Sequence, residues 1–432
     1  MKFPGRRKLK HYFPVHADNR FDRESTAFAH INTAVCGIDQ NMVDVYAHVD
    51  ESILADFGLE KGCSQLIDND CANRLYSFLQ EMNLIDSQYA GGTIGNTLHN
   101  YSILADDRSI QFGVMSQSIS VGDYAYRYLC NTSSKVDLTL LQPVDGPIGR
   151  CYTLITVDSE RTFGISPGLM NDLKPEYISE EAIKSSSAMI LCAYTLGDEK
   201  LPIYQATLKA AKIASENAIP VILTLGTKGL VTAIRERLVE FIRNYVTLVA
   251  MNEEEGQALT EQDDPLTACE QALELADMVL LTAGPEGLYL CGYTEKELAR
   301  ETDNPIRSAR ISDFNRFEFS RPIYRRHCEE PMRIYSHISP YMGGPEKIKN
   351  TNGAGDGALA AVIHDMAANH YHRRVLPTSG KHDRQWLTYS SFSQVCKYAN
   401  RVSYEVLAQS SPRLSRALPE REDSLEEAYW DR

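Results

Sequence analysis

Asn350-Thr351-Asn352-Gly353-Ala354-Gly355-Asp356 runs straight into the apolar segment Gly357-Ala358-Leu359-Ala360-Ala361-Val362-Ile363. Residues 354–369 have helical composition and spacing, so the glycines fall at a helix N-terminus. Unpaired N–H groups and the positive end of the macrodipole make that end an anion site, and glycine lets a phosphate approach the main chain. Asp356 falls in the first turn, where a carboxylate can take a proton from an attacking hydroxyl. A phosphate cradle beside a general base points to phosphoryl transfer. The same residues also read as ordinary helix-start chemistry, so the rest of the chain has to decide.

Three other segments bear on that choice. Met251-Asn252-Glu253-Glu254-Glu255-Gly256 follows the apolar strand 246–250, at the carboxyl end where α/β ligands bind. Asn252 and Glu255 share a face if a helix starts there, which suits magnesium held through its waters or a plain acidic helix start. Thr282-Ala283-Gly284-Pro285-Glu286-Gly287 leaves another apolar strand, and its glycines suit either a nucleotide against the backbone or a hairpin turn. Ala90-Gly91-Gly92-Thr93-Ile94-Gly95-Asn96 precedes a helix running through Ala105. Asp39 and Asp44 follow the first core strand. Buried there, they would accept bonds from vicinal hydroxyls; exposed, they would be turn residues.

With 432 residues, 43% hydrophobic and 24% charged, the chain can bury a core as one large domain or two. A net charge of -14 argues against sequence-independent nucleic-acid binding, so any phosphate ligand needs a local site. Ten scattered cysteines without paired ligand spacing indicate reduced thiols rather than a disulfide framework or zinc site. The start, Met1 to Lys10, is basic without an apolar region after it, and no window is long and apolar enough to span a membrane. The expectation is a cytoplasmic soluble protein with a basic extension over 1–31.

Apolar β-type segments at 33–38, 110–115, 188–194, 221–225, 246–250, 278–282 and 333–338 alternate with amphipathic helices such as 205–217 and 265–276. That alternation predicts an α/β fold over 32–432, with a mostly parallel sheet covered on both faces. Short strands near 43–50 and 145–168 interrupt the rhythm and suggest a small inserted β-sheet lid. The polar stretch 293–332 reads as a surface excursion. Gly164-Ile165-Ser166-Pro167-Gly168 fits G-x-S-x-G, but Pro167 lacks the N–H that a hydrolase oxyanion hole needs, so a turn leaving a strand is the better reading. There is no P-loop and no G-x-G-x-x-G after a strand. His364, His370 and His372 read as surface histidines rather than metal ligands.

In order and spacing, Gly-Gly-x-x-x-Asn, a lid arginine, Asn-x-x-Glu, Thr-x-Gly-x-x-Gly and Gly-Ala-Gly-Asp resemble the ribokinase-type (PfkB) carbohydrate kinases, from about Thr33 to the carboxyl end. Segments 37–45 and 91–97 look like the nucleoside kinases of that family. Segments 92–109, 342–361, 411–414 and 418–425 are similar to its bacterial inosine-guanosine kinases. The resemblance implies a ribokinase-like three-layer core and transfer of phosphate from Mg-ATP to the 5′-hydroxyl of inosine or guanosine, in purine salvage. Adenosine or sugar kinases share the fold and are the alternative, followed by a nucleoside-binding protein without turnover. By the same resemblance Asp356 is the base, and Gly353, Ala354 and Gly355 form the anion hole. Asp44, Gly92 and Asn96 bind the ribose hydroxyls, with Asp39 and Thr93 lining that pocket, and Arg161 is the lid arginine. Asn252 and Glu255 organise Mg-ATP, Glu255 reaching the metal through water. Thr282, Gly284 and Gly287 border the nucleotide, and Asn400 lies toward its adenine end. The family usually has Asp where this chain has Asn350; losing that carboxylate argues against potassium activation. Expected partners are a nucleoside and ATP, not nucleic acid or membrane, and a homo-oligomer is compatible with the sequence.

Overall fold

The computed structural model describes residues 9–10, 34–302 and 315–419. Most of the basic extension, the middle of the polar stretch and the chain after Pro419 lie outside the described residues. The fold is mixed α/β with a mostly parallel large sheet and a smaller second sheet, as the alternation of buried strands and helices predicts. Two compact units divide the chain: unit one is Met1–Ala34, His99–Ser109 and Thr247–Arg432, and unit two is Val35–Leu98 and Ile110–Val246.

In unit two, strands Val221–Thr224, Met189–Cys192 and Ala34–Ile38 lie parallel in that order. Met189–Cys192 and Ala34–Ile38 are buried at every position, so both faces need cover. Helix Pro202–Glu216 supplies part of it; Pro202 opens the helix, and Ile203, Ala206, Ala210 and Ala214 form its buried face. The expected strand 110–115 breaks in two, Arg108–Phe112 and Val114–Ser116. The backbone of Asp39 passes close to Gly113 there, and a Cβ would sit 2.8 Å from the Asp39 carbonyl oxygen.

The smaller sheet also belongs to unit two. Its order is Ser64–Leu66, Arg161–Ser166, Gly149–Ile155, Met42–His48 and Ile85–Ala90. Val43, Val45 and Ala47 alternate into a core with Leu54, Leu75, Leu79, Tyr128, Tyr152 and Leu154. Period-two alternation leaves Asp44 on the opposite face, between Cys151 and Tyr89 in register.

In unit one, Leu248–Asn252 runs parallel to Met278–Thr282, which continues antiparallel through Leu288–Glu295 to Pro331–Ile338. Helix Ala354–Val375 packs along Phe392–Leu407, where Gly357 allows close approach: a Cβ would meet Val406 Cγ2 at 2.9 Å. Within the polar stretch 293–332, Tyr293, Ser320 and Ile323 are buried. One of the three histidines is not at the surface as expected. His364 is fully buried and hydrogen-bonds the Tyr398 hydroxyl at 2.7 Å; His370 and His372 are half-buried. Helix Ala354–Val375 is covered nearly all round, so its weak amphipathic pattern hid which face was inside. Among the described residues no group of three or more His, Cys, Asp or Glu could hold a metal, and no helix is long and apolar enough to cross a membrane.

Candidate active site

Unit one carries the residues that the sequence assigns to phosphate handling. Helix Ala354–Val375 begins at Gly353, whose φ of 83° is left-handed and which, as glycine, brings no side chain to cap the helix. A Cβ on Gly353 would lie 2.5 Å from Pro412 Cβ, so only glycine fits. Around Gly355, by contrast, a Cβ would meet nothing within 4 Å. The helix thus opens at a glycine with open space beside Gly355, and Asp356 stands half-buried in its first turn. Asn350 braces the loop before it: its Oδ1 accepts from the Asn352 N–H at 2.9 Å, and its Nδ2 donates to the Ser410 carbonyl at 2.9 Å.

Asn252 and Glu255 form a capping box at the start of helix Glu253–Thr260. Asn252 Oδ1 accepts from the Glu255 N–H at 2.8 Å; Glu255 Oε2 accepts from the Asn252 N–H at 3.0 Å, and its Oε1 from Asn252 Nδ2 at 2.9 Å. Glu255 is only 5% exposed. Burial pushes its carboxyl up to about 7, opposed by the Asn252 main-chain hydrogen bond and reinforced by the charges of Asp356 and Glu254. That electrostatic coupling between Glu255 and Asp356, a century apart in sequence, is invisible to spacing rules.

Thr282 pairs with Leu288 across a hairpin whose turn holds Gly284 and Gly287. Gly287 has φ 99°, and a Cβ there would collide with the Ile338 carbonyl of the next strand, so the fold by itself demands this glycine. Asn400, on helix Phe392–Leu407, turns its amide to the loop 339–341: Nδ2 donates to the Ser339 carbonyl at 2.8 Å, and Oδ1 accepts from the Tyr341 N–H at 3.2 Å.

Unit two gathers Asp39, Asp44, Gly92, Thr93 and Asn96 around one loop. A Cβ on Gly91 would lie 2.4 Å from Asp44 Oδ1, and one on Gly92, with φ 90°, 2.2 Å from Asp39 Oδ2. Both glycines are required by the carboxylates they touch. Asp39 is buried and accepts from the Ile94 N–H at 3.1 Å, at the start of helix Thr93–Ala105. Asn96 is buried one turn on, its N–H bonded to the Gly92 carbonyl. Thr93 and Asp44 are half-buried, and Arg161 opens strand Arg161–Ser166. Ser166 of the hydrolase-like pentapeptide is fully buried and donates to Asn69 Oδ1 at 2.8 Å, as a strand-end residue does. Sequence reading missed Asn41, Gln111 and Tyr128, all fully buried beside Asp39. Gln111 and Tyr128 stand in segments without a motif, so only the fold brings them there.

Residues 120–306 match the pfkB family carbohydrate kinase. Along its full length the chain is 55% identical to the guanosine-inosine kinase of Escherichia coli K12, and the alignment covers 100% of both proteins. Among solved structures, an adenosine kinase from Sinorhizobium meliloti superposes with a TM-score of 0.65 at 22% identity, over 92% of this chain and 100% of that one. A probable sugar kinase from Rhizobium etli CFN 42 gives 0.67 at 18% identity, over 92% and 99%. These structural likenesses are evidence of a ribokinase-like fold. The full-length identity, with the family match, shows that the chain belongs to the pfkB family of carbohydrate kinases.

Proposed function

We propose that this protein phosphorylates the 5′-hydroxyl of purine ribonucleosides with ATP, converting inosine and guanosine to IMP and GMP in purine salvage. The observation carrying the reading is Asp356 in the first turn of a glycine-led helix, in a chain 55% identical throughout to a guanosine-inosine kinase.

In this reading Asp44, Gly92 and Asn96 bind the ribose hydroxyls, with Asp39 and Thr93 lining the same pocket. Asp356 takes the 5′-hydroxyl proton as its oxygen attacks the terminal phosphorus of ATP, and ADP leaves. The N–H groups of Gly353, Ala354 and Gly355 meet the charge that grows on the transferring phosphoryl group. The smaller sheet, with residues 43–50 and 145–168, acts as the lid. From it Arg161 reaches the phosphates, and exclusion of water suppresses idle ATP hydrolysis. Thr282, Gly284 and Gly287 border the nucleotide, and Asn400 acts on its adenine end through loop 339–341.

Magnesium fits beside Glu255, a buried carboxylate whose ionisation is opposed by burial, Asp356 and Glu254. Held there through water, the ion would screen the phosphate charge. Potassium fits less well. The Asn350 amide supplies no net charge, and its Nδ2 already bridges to the Ser410 carbonyl.

An acceptor panel tests the proposal. Purified protein with Mg-ATP should release ADP fastest with inosine and guanosine, more slowly with adenosine, and poorly with ribose or fructose. Efficient turnover of a free sugar with both 6-oxopurine nucleosides inert would overturn the substrate while leaving the kinase standing.

A further inference from the structure

Behind Asp39 lies a chain of buried hydrogen bonds whose direction is set at its far end. The Val114 carbonyl can only accept, and Asn41 Nδ2 donates to it at 2.9 Å. Asn41 Oδ1 must therefore face the other way, and it accepts from Gln111 Nε2 at 2.6 Å. The second hydrogen of that Nε2 goes to the Tyr128 hydroxyl oxygen, also at 2.6 Å. The Tyr128 proton is left to donate. It faces Asp39 Oδ2 at 3.3 Å and Asn41 Oδ1 at 3.4 Å, and a carboxylate is the stronger acceptor. Gln111, Asn41 and Tyr128 are fully buried, and Gln111 Oε1 is left without a partner. Turning the Gln111 amide over would set oxygen against the Asn41 oxygen, so the unpartnered atom is the consequence of keeping the chain polarised toward Asp39.

We infer that Tyr128, oriented by Gln111, is a positioning residue for the acceptor nucleoside. Its hydroxyl holds the buried Asp39 carboxylate in place, and Asp39 in turn pins the loop and helix start that carry Gly92, Thr93 and Asn96. One Asp39 oxygen faces Tyr128; the other accepts the Ile94 N–H at 3.1 Å. Asp39 Oδ2 also fills the space a Gly92 side chain would occupy. A shift of the carboxylate thus moves the ribose-binding groups together. The inference rests on the assignment of that loop to the acceptor.

Tyr128→Phe removes one oxygen and keeps the ring. Measured on the acceptor the parent turns over fastest, KM for that acceptor should rise roughly tenfold. Values of kcat and of KM for ATP should stay within about twofold, because the ATP-binding groups are untouched. Gln111→Leu should give the same split more weakly, and serves if Tyr128→Phe folds poorly. In an Asp39→Asn background Tyr128→Phe should add less than about twofold, since two members of one chain are not additive. An unchanged acceptor KM, a parallel rise in the ATP KM, or full additivity with Asp39→Asn would each overturn the inference. Failure of the nucleoside assignment is read separately from the parent, which would then turn over a sugar and leave nucleosides untouched.

Discussion

Asp356 and Glu255 are two carboxylates that feel each other's charge, yet their neighbourhoods differ. Asp356 stands half-buried at a helix start, and in the proposed reaction it takes the proton of the attacking hydroxyl. Asp356→Asn keeps the shape and loses the acceptor, so kcat should fall on the order of a hundred- to ten-thousandfold with ATP binding retained. Activity within about threefold of the parent would remove Asp356 from the chemistry. Glu255 offers a pH test. Burial lifts its carboxyl from 4.5 to about 7, so the native state keeps a proton that the unfolded chain has already released. The cost of ionising it is absent below about 4.5 and complete above about 7. In metal-free buffer Glu255→Gln should therefore gain stability relative to the parent between pH 5 and pH 8, on the order of 2 kcal/mol. Denaturant melts that differ by the same amount at both pH values would show that Glu255 is not held ionised against burial.

The start of helix Ala354–Val375 separates two demands on glycine. Gly353 is required by the fold, through its left-handed backbone and its contact with Pro412. Gly355 has helical backbone and open space around it, so the fold does not require it. Gly355→Ala should leave thermal stability unchanged or raise it, since alanine is favoured in a helix by up to about 1 kcal/mol. It should still cut kcat at least roughly tenfold if a phosphoryl group approaches that main chain. A Gly355→Ala enzyme as active as the parent would take the anion hole away from this helix start. The capping box at Asn252 was foreshadowed by its Asn-x-x-Glu spacing, as was the glycine-led helix by its composition. The hairpin after Thr282 was left open by sequence, because two glycines after a strand suit a turn and a ligand equally. The left-handed φ of Gly287 and the Ile338 carbonyl of the neighbouring strand pressing on it show that the fold itself requires this glycine.

For the molecule as a whole, the acceptor is the remaining test. If Asp44 and Asn96 grip the ribose hydroxyls, 2′-deoxyinosine and 2′-deoxyguanosine should be poorer substrates by about 1–3 kcal/mol in kcat/KM. Asp44→Ala should narrow that gap; a gap of unchanged size would place ribose discrimination elsewhere. The α/β class, the glycine-led helix, Asp356, Asn252 with Glu255, and the loop at Gly92 were all legible in the chain. Each depends on neighbours within a few residues, where period, capping and turn chemistry are written locally. Tertiary structure alone decided the buried state of His364, the break at Gly113, the lifted carboxyl of Glu255 and the Gln111–Tyr128 chain behind Asp39. Those properties arise where segments far apart in sequence exclude water together, and burial and hydrogen-bond direction are set by partners that no local pattern names.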